Sequence, residues 1–156
     1  MKLIIMRHGE ASYGADSDSQ RCLTDYGKKE VISTAKQLGS LVSAQTHVFY
    51  SPYLRTVQTA DIVSKELSLA KTPEKTLQAG TDFLEIAKWL ESIEDNDILI
   101  ISHNPMVTQL TNALVYGLQS AAMPKLMFDT AYACCLKGDY VGLDGFELVQ
   151  QIRPEL

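Results

Sequence analysis

The run Asp97-Ile98-Leu99-Ile100-Ile101 constrains the fold more than any other stretch of this chain. Four consecutive apolar residues offer no polar side to water, so a strand built from them has to be covered on both faces. Central parallel strands meet that demand, because crossover helices lie over both sides of the sheet. Leu3-Ile4-Ile5 has the same character, within a strand expected over Lys2–Met6, and Val48-Phe49-Tyr50 falls in another expected over His47–Tyr50. Between these runs the apolar residues recur at helical spacing. Val31, Ala35, Leu38 and Val42 follow an N-cap at Thr24, and Val57, Ala60, Val63 and Leu67 follow Pro52, which suits a first helical turn. Phe83, Ala87, Leu90 and Ile93 follow a cap at Thr81, and Val107, Leu110 and Leu114 follow Pro105. Strands alternating with helices give a three-layer α/β/α sandwich with a mostly parallel central sheet. A short extended piece is expected near Lys75–Leu77. Ala131–Leu136 and Phe146–Ile152 read as two last strands, a hairpin around Gly138–Gly145. With no repeat or linker, residues 1–156 are expected to form one domain with a core that needs neither disulfide nor metal.

Charge and cysteine content narrow the function. A net charge of −5 gives no general attraction to nucleic acid or to an anionic membrane. No apolar stretch approaches the roughly 20 residues of a membrane span, and the run from Lys2 to Met6 is too short for a signal peptide. Cys22, Cys134 and Cys135 are odd in number and two of them are adjacent, which makes a poor disulfide framework and fits a reducing cytosol. All three are expected as packing residues, with Cys134 and Cys135 on opposite faces of a strand. Zinc-like spacing is absent, so no metal site and no cofactor is expected. The expected protein is a cytoplasmic monomer.

Each of the three apolar strands ends in reactive chemistry. Arg7-His8-Gly9-Glu10 follows the first, Ser51-Pro52-Tyr53-Leu54-Arg55-Thr56 the second, and Ser102-His103-Asn104-Pro105 the late central one. Open α/β sheets bind ligands at the carboxyl ends of their strands. Gly9 is read as letting the backbone turn sharply and approach a ligand closely. Two arginines and two histidines converging there suit a phosphoryl group, whose charge spreads over three oxygens that planar guanidinium forks can hold. A neutral imidazole is a competent nucleophile near pH 7. His47 opens its strand with no partner in view and is read as structural or exposed.

These segments resemble the histidine phosphatase superfamily, the phosphoglycerate mutase-like group. Its signatures are an Arg-His-Gly at the first strand end, an Arg in a Ser-Pro-x-x-Arg-[Ala/Thr] segment and a second His after an apolar strand. Arg21-Cys22-Leu23-Thr24-Asp25-Tyr26-Gly27, the Ser-His-x-Pro start of the late helix and the small size resemble SixA-type phosphohistidine phosphatases more narrowly. The resemblance implies a phosphoglycerate mutase-like fold and a phospho-His8 intermediate. It implies that Arg7, Arg55 and His103 hold the phosphoryl group, with Arg21 in a supporting place. Ester-cleaving members carry a carboxylic acid, often in the loop after the third strand. Here Gln78 and Ala79 stand in that loop, and Asp82 and Glu85 fall into the following helix. An alkoxide leaving group needs a proton donor, whereas a protonated phosphoimidazole leaves as neutral imidazole with less help. The expected substrate is therefore a phosphohistidine protein, such as a histidine phosphotransfer domain or a sugar-phosphotransfer relay protein. Short connections leave little material for a cap over the site. The rival readings are a small-molecule phosphomonoesterase using Asp82, Glu85 or Glu10 as acid, and a non-catalytic phosphate-binding module. Glu10 stays open between orienting a water and capping its loop.

Overall fold

A computed structural model describes residues 1–156. Six strands form one sheet: β1 (Lys2–Arg7), β2 (His47–Tyr50), β3 (Lys71–Pro73), β4 (Asp97–Ser102), β5 (Ala133–Gly138) and β6 (Phe146–Ile152). Their spatial order is β3-β2-β4-β1-β5-β6. The pairs β3·β2, β2·β4 and β4·β1 are parallel, while β1·β5 and β5·β6 are antiparallel. The helices are α1 (Asp25–Leu38), α2 (Leu54–Leu67), α3 (Phe83–Ser92), α4 (Met106–Tyr116) and the short α5 (Gln119–Ala122).

Strand alternation splits the apolar runs into two cores. Leu3, Ile5, Ile98 and Ile100 face α3 and α4, where Ile86, Leu90, Leu110 and Leu114 meet them. Ile4, Met6, Leu99 and Ile101 face α1 and α2, against Val31, Ala35, Ala60 and Val63. This is the sandwich that the apolar runs demand. Cys134 and Cys135 fall on opposite faces of β5, one in each core. Burial pushes the Cys134 thiol up to about 12, so it is inert packing at neutral pH. Cys22, by contrast, is exposed in the loop before α1 and does not pack in either core.

Some boundaries differ from the sequence reading. The edge strand is Lys71–Pro73, and Lys75–Leu77 is a 3₁₀ turn instead of a strand. An edge strand gains little from apolar alternation and tolerates a proline, so it leaves a weak trace in the sequence. Asp82, not Thr81, caps α3, its carboxylate accepting from the Leu84 N–H at 2.9 Å. Pro52 lies before α2, whose first residue is Leu54. Thr24 does cap α1, accepting from the Gly27 N–H at 2.9 Å, but the helix ends at Leu38 and Val42 packs from the loop beyond it.

Candidate active site

Strand register sets the site. Arg7 pairs with Ser102 across β1·β4, and Tyr50 with Ile101 across β2·β4, so three neighbouring strands end at one level. The first residues beyond them continue the sheet briefly. The His8 N–H donates to the Ser102 carbonyl at 3.2 Å, and the Ser51 N–H to the Ile101 carbonyl at 3.1 Å. His8, Ser51 and His103 therefore gather at the carboxyl edge of the sheet, all buried. The His8 and His103 rings stand edge to face with centroids 5.3 Å apart. Arg55, in the first turn of α2, is only 4% exposed, and its Nε–H donates to His8 Nε2 at 3.3 Å.

The tautomer of His8 follows from its neighbours. Nδ1 lies 2.7 Å from the Gly9 carbonyl, which can only accept, so Nδ1 carries the proton and Nε2 is left with its lone pair. Burial pushes the imidazole down to about 4; the bond to Gly9 opposes this, and Arg55, Arg7 and Arg21 add to the fall. His103 is pushed down to about 3, mainly by burial, then by His8 and Arg55. Both rings are thus neutral at pH 7. Ser51 Oγ accepts from the Tyr53 N–H at 3.3 Å and lies 2.8 Å from His103 Nε2. If the serine hydroxyl donates to Nε2, the proton of His103 sits on Nδ1, a buried atom without a protein partner.

Arg7 donates through Nη1 to the Phe128 carbonyl at 3.0 Å and keeps a buried Nε without a partner. Its ordinary pKa is lowered by burial, with Asp129 and Glu30 opposing, and it remains a cation at neutral pH. With His8, Glu10, Tyr13 and Arg21 it lines an open cleft of about 390 Å³. Orphaned buried donors beside an unprotonated imidazole nitrogen form a site that an anion with several acceptor oxygens can satisfy.

Arg21 is in this cleft, but its loop takes much of its fork. Its Nε donates to the Ser12 carbonyl at 2.8 Å, Nη1 pairs with Asp18 at 3.1 Å, and the guanidinium stacks 4.2 Å over the exposed Tyr13 ring. Glu10 accepts from the Thr24 hydroxyl at 2.9 Å, in keeping with the loop-capping reading. Asp82 and Glu85 do not line the cleft; one caps α3 and the other is exposed in its first turn. His47 is a surface tie, 2.8 Å from Thr72 Oγ1 and 3.3 Å from Asp95, stacked on Phe49.

Sequence reasoning missed two carboxylates here. Glu30 is buried on α1 and accepts from the Glu10 N–H at 2.9 Å and from the Thr130 hydroxyl at 2.8 Å, tying two loops beneath Arg7. Its helical spacing one residue before Val31 puts it beside the buried face, the one signal available in the sequence. Asp18 reaches Arg55 and Arg21 together. Partial burial pushes its carboxyl up, and its bonds to Arg21 and Arg55 outweigh this and hold it below its ordinary value. Gly9 also differs from its sequence reading. A Cβ there would lie 2.7 Å from both the Gly27 carbonyl and a Val31 methyl, so helix packing, not ligand approach, demands the glycine.

Comparison with known proteins follows the same lines. A profile of the histidine phosphatase superfamily (branch 1) matches residues 3–79. Phosphohistidine phosphatase SixA of Escherichia coli is 34% identical over 122 residues, 75% of this chain and 76% of that protein. The phosphohistidine phosphatase SixA homolog of Haemophilus influenzae is 31% identical over 132 residues, 75% of this chain and 78% of that protein. The solved structure of the protein histidine phosphatase SixA complexed with tungstate superposes with a TM-score of 0.85 at 30% identity, covering 99% of this chain and 97% of that one.

Proposed function

Because the chain belongs to the histidine phosphatase superfamily, we propose that it is a phosphohistidine phosphatase, removing phosphate from histidine-phosphorylated proteins through a phospho-His8 intermediate. One observation carries the reading: His8 presents Nε2 as a lone pair, with Nδ1 tied to Gly9 at 2.7 Å and the Arg55 Nε–H 3.3 Å away.

The first step forms a bond from His8 Nε2 to phosphorus and breaks the P–N bond of the substrate. The electron pair returns to the substrate nitrogen, and because the other nitrogen of a protonated phosphoimidazole already holds a proton, a neutral imidazole leaves. Arg55 and Arg7 donate to the phosphoryl oxygens, and the His103 Nδ1–H donates from a third side, while Arg21 adds charge at the rim. In the second step a water oxygen bonds to phosphorus and the P–Nε2 bond breaks. Its electron pair returns to His8, the water proton passes to solvent, and inorganic phosphate leaves. Transfer between two imidazoles is nearly isoenergetic, so hydrolysis supplies the net driving force. No metal or organic cofactor takes part in this scheme.

The surrounding acids favour P–N over ester cleavage. Asp18 is held ionised by two arginines, and Asp82 and Glu85 lie outside the cleft. Glu10, the one candidate acid that lines it, is engaged as an acceptor by the Thr24 hydroxyl, so none of the four is placed as a proton donor to a departing alkoxide. An open mouth with Tyr13 88% exposed on its rim suits a protein surface better than an enclosed small molecule.

The test compares phosphate release by wild type and His8→Ala from a phosphohistidine protein, a phosphoserine peptide and p-nitrophenyl phosphate. Release from phosphohistidine that depends on His8, with little from the esters, is the expected result. Comparable or faster ester cleavage would assign the protein to the phosphomonoesterases instead.

A further inference from the structure

Asp18 has no part in the chemistry above, yet it occupies the same cations. It opens the 3₁₀ turn Asp18–Gln20 with its side chain 57% exposed. Its Oδ1 lies 3.1 Å from Arg21 Nη1 and its Oδ2 lies 3.2 Å from Arg55 Nη2. Its main-chain carbonyl accepts from Arg55 Nη1 at 2.7 Å. Arg55 meanwhile donates from Nε to His8 Nε2. One guanidinium thus faces the nucleophile with its Nε and Asp18 with both Nη groups, and the same carboxylate reaches across to the second arginine of the cleft.

A phosphoryl group on His8 and the carboxylate of Asp18 therefore draw on one pair of cations. Resting on the reading of His8 as the phosphoryl acceptor, we propose that Asp18 is a positioning residue that sets product release, its carboxylate competing with phosphate for the Arg55–Arg21 pair. The physical need is clear from the charge in the cleft. Arg7 and Arg21 line the cleft and Arg55 meets His8, so a phosphoryl dianion on His8 would face three arginines. Cations that hold substrate, transition state and product equally raise no rate constant and retard release. A built-in anion on two of the three arginines lowers the affinity for free phosphate. Orientation is not sacrificed, because the Asp18 carbonyl holds Arg55 whatever the side chain.

The carboxylate's charge separates this from a merely structural role. Asp18→Asn keeps the side-chain shape and the carbonyl contact while it removes the charge and one of the two acceptor oxygens, so it tests the idea even where Asp18→Ala disturbs the turn. Calorimetric titration of the whole protein with orthophosphate, at fixed ionic strength, should show Asp18→Asn binding roughly tenfold tighter than wild type, about the worth of one solvent-screened charged hydrogen bond. Product inhibition of phosphohistidine hydrolysis by phosphate should strengthen by the same factor. A structural brace predicts the opposite sign, since loosening Arg55 weakens anion binding. Unchanged or weaker phosphate affinity in Asp18→Asn, with phosphohistidine hydrolysis intact in wild type, overturns the assignment of Asp18 alone. Tighter orthophosphate binding in a protein that releases nothing from phosphohistidine would uphold the competition and locate the failure in the reading of substrate.

Discussion

A single proton position decides whether His8 can serve as the proposed nucleophile. The Gly9 carbonyl fixes it on Nδ1, and burial with three nearby arginines keeps the ring from taking a second proton until about pH 4. His8→Ala removes the attacking atom and should leave no acid-labile phosphoenzyme when the protein is mixed with a ³²P-labelled phosphohistidine donor. Retention of the label on His8→Ala would place the acceptor elsewhere. Arg55→Lys keeps a charge but loses the fork that meets both His8 and Asp18. Its turnover should fall roughly 10²- to 10³-fold, the usual effect of losing one oriented transition-state donor. The depressed histidines also bear on stability. An unfolded histidine titrates near about 6.5, whereas His8 and His103 hold off protonation to about 4 and about 3. Between those limits the unfolded chain binds more protons than the fold, so stability is full above about pH 6.5 and falls as pH drops toward about 4. Urea midpoints measured over that range should decline, and less steeply in His103→Asn; equal slopes would contradict the assignment.

At the scale of elements, the site depends on how closely α1 approaches the end of β1. A Cβ on Gly27 would lie 2.1 Å from the Glu10 carbonyl oxygen, a collision with backbone that no side-chain motion relieves. Gly27→Ala should cost about 1–3 kcal/mol of stability and lower turnover too, because the segment that must move carries His8 and Gly9. Gly14→Ala, in the loop of the same cleft but facing open space, should change stability by less than about 0.5 kcal/mol. Thermal or urea unfolding of the two variants side by side checks the contrast. The glycine of Arg-His-Gly was legible as a motif, but its physical reason was not, since that lies on a helix reached only through the fold. The strands β1, β2 and β4 were legible because continuous apolar runs admit little else. Strand β3 was not, because Lys71-Thr72-Pro73 is exposed at the sheet edge and buries nothing that periodicity could report. Asp18 and Glu30 went unseen for a related reason. Their partners Arg55 and Thr130 lie far along the chain, and only folding brings them together.

For the whole molecule, the cationic work of the site falls to arginines, and no group of three or more histidine, cysteine or carboxylate side chains is placed to hold a metal ion. Dialysis against a chelator should leave phosphohistidine hydrolysis unchanged, and a loss restored by added metal would refute the scheme. No helix is long and apolar enough to cross a membrane. The sheet order carries a consequence for biosynthesis. β4 lies between β1 and β2, although both precede it in the chain. A nascent segment ending at Asn96 lacks the strand that joins the end of β1, which carries Arg7 and His8, to β2 and the α2 turn that carries Arg55. Insertion of Ile98–Ile101 puts two apolar residues into each core, bridges β1 and β2, and brings His103 to their ends in one event. On the proposed chemistry the polypeptide should gain reactivity no earlier than the docking of its last parallel strand. Recovery of activity after dilution from denaturant should therefore lag or match, and never precede, formation of the β1·β4 and β2·β4 pairs.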